Sequence, residues 1–143
     1  MNDTSHAKSL MCDDLAFERR KILSRMMRDF VQESKESIQG VVFPTGAEAR
    51  NHGKGGIWYR WVSNDRRSFP EDVKSVMIVM PVNWGKDGVN ERGISAEWTV
   101  SEKNVNGAQW SLNGTEDKPT LSPSLHWVGV WHGFLEDGFL RSC

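Results

Sequence analysis

The sequence has little of several features that would place a protein in a specialised class. It has only two cysteines among 143 residues, too few for a disulfide-stabilised framework. The net charge of −1 gives no electrostatic reason to expect a nucleic acid or a membrane surface as partner. The longest apolar run, Val76 to Val82, is far too short to cross a bilayer. The polar first residues lack the apolar core of a signal peptide, so we expect a cytoplasmic protein with reduced thiols.

The chain does contain enough apolar and aromatic residues to build a core. Hydrophobic residues make up 38% of it and seven residues are Trp, which suits a globular protein rather than a disordered one. A chain of this length can bury a substantial core, so we expect a single domain over residues 1–143. Residues 1–12 are polar and are interpreted as a lead-in to that domain.

An apolar stripe follows the lead-in and predicts an amphipathic helix over residues 13–39. Apolar residues recur there at spacings of three, four and seven, which is the period of one helix face. Asp13 or Asp14 can cap the start of this helix, and Gly40 can end it. The middle of the helix is basic, and its arginines form either a solvated face or a surface for a ligand or partner. These residues are Arg19, Arg20, Arg25 and Arg28.

Residues 40–72 show few regular patterns and predict loops with short elements. The glycine-rich stretch 45–56 is interpreted as a flexible loop, and the aromatic stretch 57–62 as either a strand or a buried turn of helix. From Lys74 to the end the pattern is typical of β-structure, so residues 74–143 form the β-rich part of the prediction.

Alternation and turn dipeptides support the β interpretation. Apolar and polar residues alternate from Ile94 to Val100, as in a half-buried strand. Three dipeptides suit tight turns because their residues accept positive φ. They are Asn106-Gly107, Asn113-Gly114 and Asp137-Gly138. The predicted fold class is therefore α+β, with an N-terminal amphipathic helix packed on a mostly antiparallel β-sheet.

Two histidines and a cysteine near the C-terminus fall into one row by strand-pairing arithmetic. A two-residue turn at Asp137-Gly138 pairs His132 with Cys143. A reversal of the chain around Gly129 places His126 opposite His132, with Cβ atoms about 5 Å apart on one face. Two imidazoles and a thiolate are good zinc ligands, and three protein ligands leave a fourth position for water. The sequence thus predicts a candidate metal site, with zinc as the cofactor.

Three interpretations of this row stay open. The first is the metal site. In the second, the histidines are ordinary sheet residues and Cys143 is a frayed terminal residue. In the third, His132 and Cys143 form a metal-free base and nucleophile. Ser122 and Ser124 flank a proline without a Gly-x-Ser-x-Gly elbow, so we interpret their hydroxyls as bonding backbone groups at a bend.

Several short motifs within residues 76–143 resemble those of a family of small proteins of unassigned function. They are W-S-L-N-G at 110–114, K-P-T-L-S-P-S at 118–124, H-G-F-L-E-D-G at 132–138 and the final cysteine. Proteins of this family are common in bacteriophages and prophages, and relatives occur beside bacterial ubiquitin-like conjugation genes. The family's His maps to His132, its Gly to Gly138 and its late Cys to Cys143, whereas Trp131 stands where the family has another Cys.

The resemblance implies a small phage-derived accessory protein in the host-cell cytoplasm. We predict that it binds a host protein or a small-molecule ligand, as a counter-defence factor would, and that its C-terminal sheet carries the metal site. The alternative is a small zinc-dependent hydrolase that uses His126, His132 and Cys143. Whether the protein is an enzyme stays open at this point.

Overall fold

The structure, a computed structural model, describes residues 33–85, 90–101 and 109–143. Within these ranges the chain forms two β-sheets and one short helix. The strands are β1 (Ile38–Gln39), β2 (Val41–Val42), β3 (Gly56–Trp61), β4 (Val73–Met80), β5 (Ile94–Thr99), β6 (Ser111–Gly114), β7 (Pro119–Trp127), β8 (Trp131–Glu136) and β9 (Phe139–Ser142). The helix, α1, is Gly46–His52.

The strands divide into a five-stranded and a four-stranded sheet. The first has the order β1-β9-β8-β7-β6, and all its neighbouring strands are antiparallel. The second has the order β2-β3-β4-β5, and only β2 and β3 are parallel. The chain passes from the first sheet to the second at Gly40. A Cβ there would lie 2.6 Å from both the Gly138 carbonyl oxygen and the Ile57 side chain, so the crossing requires glycine.

One cluster of buried apolar side chains joins the two sheets. Ile57 and Ile78 contribute to it from the four-stranded sheet, and Leu125 and Leu135 contribute from the five-stranded sheet. All four side chains are fully buried, so each removes most of its apolar surface from water. Leu125 and Leu135 face this core from β7 and β8. Residues at alternate positions of those strands therefore point to the opposite face, where the histidines lie.

The predicted α+β fold class is wrong, because the described residues are mostly β-structure with one helix of seven residues. Residues 33–39 of the predicted helix instead hold an isolated bridge from Ser34 to Trp131 and strand β1. Residues 13–32 lie outside the described residues. Ile38 pairs with Leu140, far along the chain, and a local helical period gives no signal of such a contact.

The flexible loop predicted for residues 45–56 is also wrong, since it contains helix α1. Thr45 caps this helix: its hydroxyl accepts a hydrogen bond from the Glu48 amide at 3.2 Å and lies 3.0 Å from the Glu48 carboxylate. This Thr-x-x-Glu pattern is a capping box. Gly53 ends the helix with φ of 91° and donates its N–H to the Ala49 carbonyl. The capping-box residues are visible in the sequence, but the glycines around them favoured the prediction of a loop.

The predictions of β-strands agree more closely with the structure. The aromatic stretch 57–62 is a strand over most of its length, and the alternating stretch from Ile94 is β5. The Asn113-Gly114 turn is misplaced by a few residues. Gly114 has φ of 83° and ends β6, and the turn itself follows at 115–118, closed by hydrogen bonds between Thr115 and Lys118. Asn106-Gly107 lies outside the described residues.

Candidate functional site

The hairpin of β7 and β8 reverses where the sequence predicted. Gly129 has φ of 81°, and the Val130 amide donates to the Trp127 carbonyl at 2.8 Å to close the turn. His126 pairs directly with His132 across the hairpin. The predicted register of these two histidines is therefore confirmed, although valines flank the glycine at the turn.

The next hairpin, formed by β8 and β9, also has the predicted register. Asp137 and Gly138 form its turn with φ of 48° and 77°, and Glu136 pairs with Phe139. At the far end, the Cys143 amide donates to the His132 carbonyl at 2.9 Å. The structure thus brings His126, His132 and Cys143 together as neighbours on three adjacent strand segments.

The two imidazoles lie face to face. Their ring centroids are 4.2 Å apart, with 30° between the ring planes. His132 is buried, with 6% of its surface exposed, and His126 is only partly buried. Of the two stacked rings, that of His126 is therefore the more accessible to solvent.

The proximity of these three residues does not by itself establish a metal site. Cys143 is disulfide-bonded, so its sulfur is not a thiolate ligand in this state, and the reduced thiol expected for it is wrong. Among the described residues no group of three or more His, Cys, Asp or Glu side chains is arranged to hold a metal ion. Zinc binding by His126, His132 and Cys143 stays a prediction.

The structure places a different partner beside His132. The Ser124 hydroxyl oxygen lies 3.2 Å from His132 Nε2, within hydrogen-bonding distance. Only 9% of the surface of Ser124 is exposed, so both members of the pair are sheltered from bulk water. A serine hydroxyl against an imidazole nitrogen is the arrangement of a nucleophile and its general base.

A β-bulge in β7 aims Ser124 at the histidine. Residues 122–124 of β7 lie opposite only Phe134 of β8, between the pairs Leu121↔Leu135 and Leu125↔Gly133. The Ser122–Pro123 peptide bond within this bulge is cis. Bulges redirect side chains and recur beside active sites. The bend predicted from Pro123 is present, but the Ser124 hydroxyl contacts His132 instead of the predicted backbone group.

Trp110 holds the backbone of Ser124 from the neighbouring segment. Its indole Nε1 donates to the Ser124 carbonyl oxygen at 3.1 Å. The Trp110 ring in turn packs edge-on against Trp98 of β5, with centroids 5.1 Å apart and an interplanar angle of 86°. Edge-to-face aromatic pairs are favourable and directional, so they restrict the position of both rings. The four-stranded sheet thereby supports the serine of the five-stranded one.

A cavity of about 310 Å³ opens beside this pair, between β5 and β7. Three tryptophans contribute to its wall, and His126 lies on its β7 side together with Trp127. The complete lining is Ser95, Ala96, Glu97, Trp98, Trp110, His126 and Trp127.

The other residues singled out from the sequence do not join this site. Glu136 pairs with Arg141 near the end of β8, and Asp137 is part of the turn. The basic residues proposed for partner binding lie outside the described residues. They are Arg19, Arg20, Arg25 and Arg28. Within the described part of the chain, no helix has the length and apolar character needed to span a membrane.

Comparison with known proteins adds one match. Residues 92–143 match the model of a family described as "Bacterial ubiquitination-like system serine protease (BubE)". No curated protein and no solved structure matches the chain. The match does not bear on the predicted phage origin or counter-defence role, which stay predictions. It covers Ser124 and His132, and it links the C-terminal part of this chain to serine proteases of bacterial ubiquitination-like systems.

Proposed function

We propose that this protein is a serine hydrolase of a bacterial ubiquitination-like system, with Ser124 as nucleophile and His132 as general base. The 3.2 Å contact between Ser124 Oγ and His132 Nε2 carries the proposal, because it lies within the segment that matches a serine-protease family. The substrate is a peptide or isopeptide bond in a protein of that system. The partners of this protein are accordingly proteins rather than nucleic acid or lipid.

The reaction begins with proton transfer from the Ser124 hydroxyl to His132 Nε2. The hydroxyl is a weak nucleophile until a base accepts this proton. Ser124 Oγ then bonds to the carbonyl carbon of the substrate, and the carbon–nitrogen bond breaks as the leaving amine takes the proton from His132. Water, deprotonated by His132, hydrolyses the resulting ester and restores the Ser124 hydroxyl. Each proton that His132 accepts is returned within the cycle.

The surroundings of the pair suit this chemistry. Both residues come from one hairpin, so local backbone hydrogen bonds set their separation. The His126 ring packs against the His132 ring and limits its rotation. Low exposure of both residues strengthens the electrostatics of the hydrogen bond between them.

A fluorophosphonate probe tests the proposal, because it labels activated serines covalently. We expect labelling of the wild-type protein at Ser124, located by mass spectrometry, and hydrolysis of a fluorogenic peptide pool. Ser124→Ala and His132→Ala should each lower peptide hydrolysis on the order of 10³-fold or more. Ser122→Ala is the matched control, since Ser122 is an exposed serine two residues away in the same bulge.

Thermal melts separate lost chemistry from lost folding. Removing the Ser124 hydroxyl takes one hydrogen-bond partner from the buried His132 ring, which costs about 1–3 kcal/mol of stability and leaves the fold intact. Wild-type protein that resists the probe, or a Ser124→Ala variant that is labelled like wild type, contradicts the proposal. The buried contact would then be structural only.

A further inference from the structure

We propose that the cavity beside the Ser124–His132 pair is a specificity subsite: an extended polypeptide lies along the edge of β5 and seats an aromatic or large aliphatic side chain in it. This inference rests on the proposed function, because it names the binding mode of that substrate. It commits to one occupant, a polypeptide segment in extended conformation with an apolar anchor.

The position of β5 provides the backbone contacts. β5 is the outermost strand of the four-stranded sheet, and among the described residues no strand of that sheet pairs with its outer edge. The end of this edge is closed where the Trp110 amide donates to the Thr99 carbonyl at 2.9 Å. An outer strand presents unpaired N–H and C=O groups that an extended peptide can satisfy as an added strand.

The walls of the cavity select the side chain. Three indoles, those of Trp98, Trp110 and Trp127, surround a space of about 310 Å³. Aromatic faces bind aromatic and aliphatic groups through dispersion and burial of apolar surface. Ala96 on β5 is small and leaves room between them.

The acidic residue at the rim does not favour a basic anchor. The Glu97 carboxylate already accepts hydrogen bonds from Arg60 and from Ser75, both at 2.7 Å. The Arg60 guanidinium balances its charge and the Ser75 hydroxyl helps to orient it, so it offers little extra charge to a lysine or arginine entering the cavity. A neutral apolar anchor therefore fits better than a cationic one.

Two residues connect the cavity to the reacting groups. His126 lines the cavity and stacks on His132. Trp110 lines it and holds the Ser124 carbonyl. A side chain seated against them places a nearby backbone carbonyl of the same peptide toward Ser124, since an extended chain advances only about 3.3 Å per residue. Occupation of the cavity thus orients the bond to be cleaved.

Substrate profiling is the first test. A fluorogenic peptide library varied at one position at a time should show a preference for Phe, Trp or Leu at one position near the cleaved bond. Ala96→Phe places a ring in the cavity, because Ala96 shares the face of β5 on which Trp98 lies, and should lower kcat/KM on the preferred peptides at least about tenfold more than it lowers labelling by a small fluorophosphonate. Trp127→Ala enlarges the cavity and should shift the preference toward larger side chains. Trp84→Ala removes an exposed tryptophan outside the cavity and is the control.

Direct binding separates failure of this inference from failure of the proposed function. The Ser124→Ala protein is titrated by calorimetry with the pentapeptide Gly-Gly-Phe-Gly-Gly, and with Gly-Gly-Lys-Gly-Gly as its matched control. We expect saturable binding of the first peptide only, lost in the Ala96→Phe Ser124→Ala double variant. Binding without any labelling of wild-type Ser124 supports the subsite and refutes the catalytic proposal. The subsite proposal is wrong if Ser124 is labelled but the protein shows neither selective peptide binding nor a side-chain preference. A preference for charged residues or for glycine would also contradict it.

Discussion

His126 and His132 lie directly opposite each other on adjacent strands, and their imidazole rings stack with centroids 4.2 Å apart. Stacking leaves the ring nitrogens of His132 at its edge, where Nε2 reaches Ser124. His126 is thus a positioning residue for the proposed base. It contacts His132 on one side and the cavity on the other.

His126→Ala should lower kcat for peptide hydrolysis about tenfold, which corresponds to about 1.4 kcal/mol in the activation free energy. His126→Phe keeps an aromatic ring against His132 and should recover most of that loss. Steady-state kinetics of both variants, with thermal melts alongside, makes the comparison. Equal losses in the Ala and Phe variants would show that ring stacking is not what His126 contributes.

The turn between β8 and β9 sets the register that brings residue 143 beside His132. Gly138 has φ of 77°, and a Cβ there would lie 3.2 Å from Lys118 Cα. Gly138→Ala should therefore lower the free energy of unfolding by about 1–2 kcal/mol, measured by urea denaturation. Asp137→Gly is the control, because Asp137 also has positive φ and glycine tolerates it better. A stable Gly138→Ala protein alongside a destabilised Asp137→Gly protein would contradict this account of the turn.

Tyr59 gives a pH dependence with a defined sign. Burial raises the pKa of its phenol above the ordinary value of 10.0, and the nearby charges of Glu116 and Asp117 raise it further. Above pH 10 the folded state retains a proton that the unfolded chain has lost, so unfolding becomes more favourable as pH rises. We expect wild-type stability to fall more steeply between about pH 10 and 12 than that of Tyr59→Phe.

Tyr59 is the only tyrosine of the chain, so tyrosinate absorbance follows its titration directly. At neutral pH the Tyr59→Phe variant should be less stable by about 0.5–1.5 kcal/mol, since its hydroxyl donates a 2.6 Å hydrogen bond to the Glu116 carbonyl. All other groups are the same in both proteins, so the difference between the two curves reports Tyr59. Parallel curves would mean that the phenol titrates as in the unfolded chain.

The shared core predicts that the two sheets unfold together. Ile78 is fully buried in the cluster that joins them, so Ile78→Ala should cost about 2–5 kcal/mol. Val62, with 57% of its surface exposed, is the control, and Val62→Ala should change stability by less than about 0.5 kcal/mol. Tryptophan fluorescence and far-UV circular dichroism should give coincident unfolding curves. Separate transitions would show that the sheets do not share one cooperative core.

The features that the sequence predicted correctly are local. Glycines with positive φ at 129 and 138 set two hairpin registers, and simple pairing then places His126, His132 and residue 143 together. Alternation of apolar and polar residues likewise predicted β5. In each case the information lies within about ten residues of the feature.

One miss concerns a contact between distant parts of the chain, and another concerns an irregularity within a strand. Strand β1 forms because Ile38 pairs with Leu140. The spacing of apolar residues within 13–39 gives no information about that distant partner. Ser124 was missed because a bulge, not regular alternation, directs it toward His132. Its position in the P-T-L-S-P-S motif, the most specific part of the resemblance, was the available signal.

The proposed reacting pair and the proposed subsite are built from different parts of the chain. Ser124 and His132 are eight residues apart in one hairpin, whereas the cavity needs β5 from the other sheet. Selectivity can therefore diverge among related proteins through substitutions at Ala96, while the hairpin and its chemistry stay unchanged. A set of such proteins would share one reaction and differ in the polypeptide each accepts.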